Sequence, residues 1–446
     1  MRFRGSVSIV LMSVLWMVFL CGPVQSGKEI PVLTLRESID LALKQSVVIH
    51  SAREGVKASE SKKKEAFTGF LPRLSTYYSY TRYNEPPQSK SAVTTPAYSP
   101  VQVGTADNYN WAVEMRQPVF AGGGIKANYD ISRIGEDVSR MDQAATIQDI
   151  VRDVGVTYFN ILKTERMLGV AKQSLEQLEA HRNVAQQFYN AGVIPKNDLL
   201  QSEVQLANGQ QFLVSAENNL ELAKSQFNTV LRRDLNTPTR VEDILQYAAY
   251  TAGLQECLKT ALDQRPEIKA SALRVEQARK AVDLDKSDYY PSVNLVGSYG
   301  RFGDTADVQG SRYQDQENWS VMARADWKFW EWGRTRHKVD AGRSRENQAL
   351  DALTNAKDQV SLEVKSAYLL MREAEKRVFV AKKAIEQAEE NFRLNEERYK
   401  EQVATSTDVL DAQTLLTRAK SDYFNALSDY HIALTRLERS MGNLNK

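Results

Sequence analysis

The chain contains itself twice. Leu35–Tyr80 aligns without a gap on Leu254–Tyr299, so that Ile39, Ala42, Leu43, Ile49, Pro72 and Tyr80 fall on Leu258, Ala261, Leu262, Ile268, Pro291 and Tyr299. Gly123–Leu231 aligns on Gly333–Met441 in a second register, with Val154, Tyr158, Tyr189, Val193, Asp198 and Ala216 on Val364, Tyr368, Tyr399, Val403, Asp408 and Ala426. The register changes between the blocks, where residues 84–107 form a longer insert than the stretch after Phe302. A period of roughly two hundred residues is far longer than a solenoid repeat. One large unit is duplicated, so the halves share a geometry and an axis relates them. The units run over residues 27–231 and 254–442, with 232–253 as a linker and 443–446 as a tail.

Residues 1–26 precede the first unit. Arg2 and Arg4 lead an apolar run from Val7 to Cys21, and Val24 and Ser26 offer a small-residue cleavage site, as in an export signal. A lipoprotein signal acylated on Cys21 is the rival reading, against which Leu20 is bulky. The chain has 58 Lys and Arg against 56 Asp and Glu, and loss of Arg2 and Arg4 balances them. No basic excess points to nucleic acid. Beyond Cys21 only Cys257 is left, so stability must come from packing rather than a disulfide. No stretch of about 18 apolar residues follows the signal, which excludes a spanning helix and leaves a barrel.

Four segments alternate as barrel strands do, two in each unit, in hairpins 73–119 and 291–329. The clearest is Trp319–Phe329, with Trp319, Val321, Ala323, Ala325, Trp327 and Phe329 on one face and Ser320, Met322, Arg324, Asp326 and Lys328 on the other. Asn110–Val119 is its partner in the first unit, and Leu74–Tyr80 and Val293–Tyr299 are the other two, opened by Pro72 and Pro291. Aromatic residues at the strand ends, Tyr77, Tyr78, Tyr80, Trp111, Trp319, Trp327 and Trp330, suit an interfacial girdle. An ordinary half-buried sheet would show the same alternation. The tips, 84–107 and 303–317, are rich in Pro, Gly and polar residues and predict solvent loops.

The remainder is helix. No proline falls between Gly122–Gly124 and Pro195, which predicts a helix over 123–190, roughly 100 Å long at about 1.5 Å per residue, and its counterpart over 333–400. Shorter helices follow over 198–231 and 407–441. Val409, Ala412, Leu416, Ala419, Tyr423, Ala426, Tyr430, Ala433 and Leu437 are spaced alternately three and four, as are Leu199, Ser202, Leu206, Gly209, Leu213, Ala216, Leu220, Ala223 and Phe227. That is a coiled-coil seam, and one of its two positions is always small, which admits a close neighbour.

Four strands cannot close a barrel, and an open sheet in lipid leaves unpaired edges, so such a chain must oligomerise. The duplicated order of helix, two strands, long helix and shorter helix resembles the TolC-like outer membrane efflux protein family over roughly residues 30–442. Two local motifs support it: Tyr189-Asn190-Ala191-Gly192-Val193 with Asn197-Asp198, and Tyr399 with Thr407-Asp408-Val409-Leu410-Asp411-Ala412-Gln413. The resemblance implies an α+β membrane protein: a homotrimeric channel-tunnel with a twelve-stranded barrel in outer-membrane lipid, a long periplasmic α-helical barrel, and an equatorial belt containing 232–253. It implies as partners a periplasmic adaptor (membrane fusion protein) and an inner-membrane pump of RND or ABC type, for efflux of small molecules or type I secretion.

It also implies site residues. The helix breaks 191–197 and 400–407 fall at the periplasmic end, so Gly192, Val193, Ile194, Gln402, Val403 and Ala404 are candidate adaptor contacts. The motif carries over a contact between Tyr399 and Asp198, within one protomer or between two, and a carboxylate constriction to Asp408 and Asp411, which lie three apart on one helix face. Three copies of the pair would attract cations and be blocked by them. For Asp408 a helix cap is an equal alternative. The family's gate arginine is replaced here by Ala404 and the second tip's glycine by Gln402, leaving Lys196 as a candidate donor.

No nucleophile–base set or metal-ligand spacing stands out, and no cofactor is implied, which argues against an enzyme. A trimeric coiled-coil surface stalk or adhesin and a soluble periplasmic adaptor are the competing classes. The first predicts a single terminal barrel segment; the second should lack lipid-facing strands.

Overall fold

The computed structural model describes residues 31–90 and 100–444. The export signal and Cys21 lie outside them. The first repeat comprises β1 (Val32–Leu33), α1 (Leu35–Gln45), α2 (Val47–Thr68), β2 (Arg73–Arg82), β3 (Gln88–Lys90), β4 (Pro100–Gln102), β5 (Asp107–Ala121), α3 (Gly124–Asn190) and α4 (Lys196–Val230). A linker strand β6 (Arg240–Val241) leads to α5 (Leu254–Gln264), α6 (Pro266–Lys286), β7 (Ser292–Gly303), β8 (Glu317–Asp326), α7 (Arg334–Lys400) and α8 (Ser406–Ser440).

The long strands form one antiparallel sheet in the order β2-β5-β7-β8, so its centre joins the two repeats. The register puts Leu74 opposite Met115, Thr76 opposite Val113 and Tyr78 opposite Trp111. Val113 in turn faces Tyr299, which faces Trp319. One face is therefore apolar and aromatic across all four strands. The other carries Ser75, Glu114, Arg116, Ser298, Ser320 and Arg324. The edge strands β2 and β8 are exposed along their whole length.

Two details differ from expectation. β8 stops at Asp326, so Trp327 and Phe329 do not extend the alternation; they lie in the turn that follows, 60% and 77% exposed. The pairing ends at Ser292↔Asp326 because Pro291, next on β7's side, has no N–H to give. The first hairpin loop is not irregular throughout either: β3 and β4 pair within it, with Pro100 on a free edge.

The sheet sits at one end of a helical wall. α3 and α7 have 67 residues each, about 100 Å. Beside them α2 and α6 pack in the half nearest the sheet, and α4 and α8 in the far half. α6 and α8 meet end to end, where the Arg265 guanidinium donates to the Ser440 carbonyl at 3.3 Å. The predicted small seam positions are buried: Ala216 and Ala223 on α4, Ala412, Ala419, Ala426 and Ala433 on α8. At Gly209 a Cβ would stand 2.7 Å from the Leu178 methyl, so a side chain there would push Leu178 aside where α4 meets α3.

The linker is strapped to the middle of this wall. β1 and β6 pair in parallel. Tyr158, fully buried, donates its hydroxyl to the Glu242 carbonyl at 2.8 Å, and Tyr430 donates to the Ala248 carbonyl at 2.6 Å. Phe227, Val364, Met371 and Leu437 complete the core around them, and Cys257 is buried on α5. Among the described residues no helix is long and apolar enough to cross a membrane.

Candidate functional site

The two helix-to-helix breaks lie at the ends of α3 and α7, a full helix length from the sheet. They share one backbone solution. Val193 N–H bonds to the Phe188 carbonyl and Gly192 N–H to the Tyr189 carbonyl, both at 2.9 Å. In the second tip Val403 bonds to Arg398 at 2.8 Å and Gln402 to Tyr399 at 3.0 Å. This closure needs a left-handed residue, and Gly192 supplies it at φ 76°. Gln402 takes the same conformation at φ 61°, which an L side chain adopts only with strain. The closure leaves Val193 and Val403 exposed, 45% and 64%, with Ile194 and Ala404 partly covered.

The candidate gate carboxylates have unlike settings. α8 begins at Ser406 with Thr405 as its cap, and Asp408 completes a capping box, accepting from Thr405 N and Oγ1 at 2.8 Å each. The cap is thus Thr405 rather than Asp408 itself, and Asp408 serves it from the third helical position. The Thr405 N–H holds the Asp408 carboxyl below the usual range, so it stays ionised. Asp411, one turn on, is exposed on the same side. Asp198, its carboxylate counterpart in the first repeat, sits near the start of α4 behind Pro195, which provides no side-chain cap. Among the described residues no three metal-ligating side chains cluster.

The expected link between Tyr399 and Asp198 is not made in the chain. Tyr399 is 3% exposed and its hydroxyl makes no well-formed hydrogen bond, lying beside Ser406. Its ring turns inward against His181 and Phe188, with centroids 5.0 and 5.5 Å away. Burial, reinforced by the Asp198 charge, raises the phenol's pKa. Lys196 makes no ion pair among the described residues and only opens α4. Arg398 is a cation at the second tip, donating to the Val403 carbonyl at 3.4 Å, and Lys400 beside it is paired with Glu396.

What joins the two helix pairs at this end is a buried polar chain. His181 Nε2 on α3 lies 2.9 Å from Ser406 Oγ on α8, and Ser406 Oγ lies 3.1 Å from Ser202 Oγ on α4. Burial pushes the His181 imidazole down to about 4, with the Glu396 charge opposing. The polar seam continues between α3 and α8 through Gln177–Gln413 at 2.9 Å and Ser174–Thr417 at 3.0 Å. Sequence reasoning missed His181 because the four histidines are far apart. The available signal was its place in α3's own heptad: Ala171, Ser174, Leu178, His181 and Ala185 are spaced three and four, and all are buried.

A sheet with one apolar and one polar face, open at both edges and set on a helical wall about 100 Å long, defines a stave of an outer-membrane channel. The chain belongs to the outer membrane efflux protein family, whose model matches residues 38–231 and 257–443. It is an outer-membrane protein with its helices in the periplasm. It is 23% identical over 329 residues to the outer membrane protein TolC of Escherichia coli, covering 68% of this chain and 65% of that one, a little under two thirds of its length. It is 21% identical over 433 residues to the toluene efflux pump outer membrane protein TtgF of Pseudomonas putida, covering 96% and 85%. The fold matches the CmeC outer membrane channel of Campylobacter jejuni with a TM-score of 0.77 at 17% identity, over 92% of this chain and 85% of that chain.

Proposed function

We propose that three copies of this chain close a twelve-stranded barrel and continue it as a periplasmic helical tunnel, through which small molecules leave the cell. The observation that carries this is the four-stranded sheet with two exposed edges. Unpaired edges are not tolerated in lipid, four strands cannot close, and three copies give about twelve, enough for a lumen. Hairpins from both repeats within one sheet speak against a stalk with a single terminal barrel segment. An apolar aromatic sheet face speaks against a soluble adaptor.

The tips are the docking surface for the periplasmic adaptor, which hands over cargo from an inner-membrane RND or ABC-type pump. Val193 and Val403 support this, being exposed apolar residues at the ends farthest from the sheet. The relative named for toluene efflux supports a small-molecule cargo. Asp408 and Asp411 line the narrowest periplasmic opening in three copies each. The His181–Ser406–Ser202 chain holds the two helix pairs together in the closed state, the role sequence reasoning gave to Tyr399 and Asp198.

Single-channel recording in planar bilayers tests the pore. The resting channel should prefer cations and be plugged by multivalent cations from the periplasmic side. Asp411→Ala should weaken both without loss of the oligomer; unchanged selectivity and block would remove the carboxylate constriction.

A further inference from the structure

Where α6 gives way to α8 between α3 and α7, a groove of about 720 Å³ runs over α8. Part of its lining is apolar, from Val156, Leu370 and Ile432. The rest is dominated by four arginines: Arg152, Arg377, Arg436 and Arg439. Its two carboxylates are already engaged. Glu363 holds Arg265 at 2.5 Å, and Asp429 is shared between Lys163 at 3.2 Å and Arg377 at 3.4 Å. Arg152 is paired with Asp149 and Asp153.

Two guanidinium groups keep spare donors. Arg436 is exposed and makes no ion pair among the described residues. Arg439 is 4% exposed; its Nε and Nη2 meet Asp149 and Glu267 at 2.9 and 2.6 Å, but its Nη1 has no partner. An unmet buried charged donor is costly, so its retention beside a groove calls for an acceptor. Arg436 and Arg439 are three apart on α8 and share one face. Guanidinium forks fit carboxylates and related oxyanions in two-point contact, and the apolar lining fits a hydrocarbon body.

We propose that this groove binds an amphiphilic organic anion, a carboxylate or sulfonate on an aromatic or aliphatic frame. Val154, Tyr158, Val364 and Met371 turn the other faces of α3 and α7 into the core, so the groove opens on the side away from the linker. That side is the tunnel interior if the ring closes as proposed above, and the site's role in transit rests on that reading. There it is a stopping point for anionic cargo halfway along the tunnel.

The test is calorimetric titration of 2-naphthoate into the detergent-solubilised protein, with acetate and 2-naphthylmethylammonium as controls. Naphthoate should bind saturably and the controls should not, since each lacks half of the recognised chemistry. Arg436→Gln should weaken naphthoate about tenfold or more. This variant alters an exposed side chain and leaves the Arg439 ion pairs intact, and an unchanged native mass confirms its assembly. Equal naphthoate affinity in both proteins, or equal binding of the ammonium analogue, overturns the site. In planar bilayers naphthoate should interrupt the current of the wild-type channel more than that of Arg436→Gln. A conducting channel indifferent to naphthoate refutes this site alone. A protein that binds naphthoate yet never conducts refutes the channel reading and supports the site.

Discussion

His181 and Tyr399 share a buried corner of the tip, yet only His181 makes a well-formed hydrogen bond. That difference separates two accounts of closure. Tyr399→Phe removes a hydroxyl whose only polar neighbour is a marginal contact with Ser406, and should leave resting conductance and stability nearly unchanged. Ser406→Ala strips His181 of its partner and leaves Ser202 only its bond to the Asp198 carbonyl, should cost about 1–3 kcal/mol, and should raise resting conductance. The reverse pattern would restore a Tyr399–Asp198 latch. The same corner is acid-sensitive in a defined direction. Glu396 and Tyr399 on α7, Ser406 on α8, and Asp198 and Ser202 on α4 surround it. Exposed, the imidazole titrates near 6.5; buried in the tip as it stands, which the proposal above takes as the closed state, it is held at about 4. The depressed pKa means that closure is fully favoured above about 6.5 and weakens as the pH falls from there toward 4. Resting conductance should rise over that window in wild type and lose this dependence in His181→Gln. A flat wild-type profile would sink the idea.

At the scale of elements, the second tip is a strained copy of the first. Gln402→Gly should relieve a left-handed side chain and steady the turn by about 1 kcal/mol, read as slower amide exchange over residues 399–405. Gly192→Trp should do the opposite at the docking surface, abolishing export while leaving oligomers in the membrane; unchanged export would argue against a tip interface. Strands and coiled-coil seams were legible in the sequence because each depends on local periodicity. Val321, Ala412 and Leu437 announce their faces by spacing alone. The pairing of β5 with β7, which joins the repeats, was not legible, since it is a contact over nearly two hundred residues with no turn between. The early end of β8 escaped notice because it is set by Pro291 on the neighbouring strand rather than by β8 itself. The inward turn of Tyr399 was hidden for a similar reason: aromatic packing against His181 and Phe188 on another helix decides it.

For the whole molecule, the chain is well packed along its wall and unfinished at its sheet. Buried seams, a strapped linker and an ion cluster at the α6–α8 junction give the wall its own stability. The outer edges of β2 and β8 are unpaired among the described residues, and their apolar face has no cover. Both deficits disappear together if copies of the chain pair edge to edge within a bilayer, and the number of strands sets the number of copies. The native mass of the detergent-solubilised full-length protein is therefore the most direct test. Three copies per particle is the predicted result; a stable monomer or dimer would contradict the barrel, and with it the tunnel and the gate.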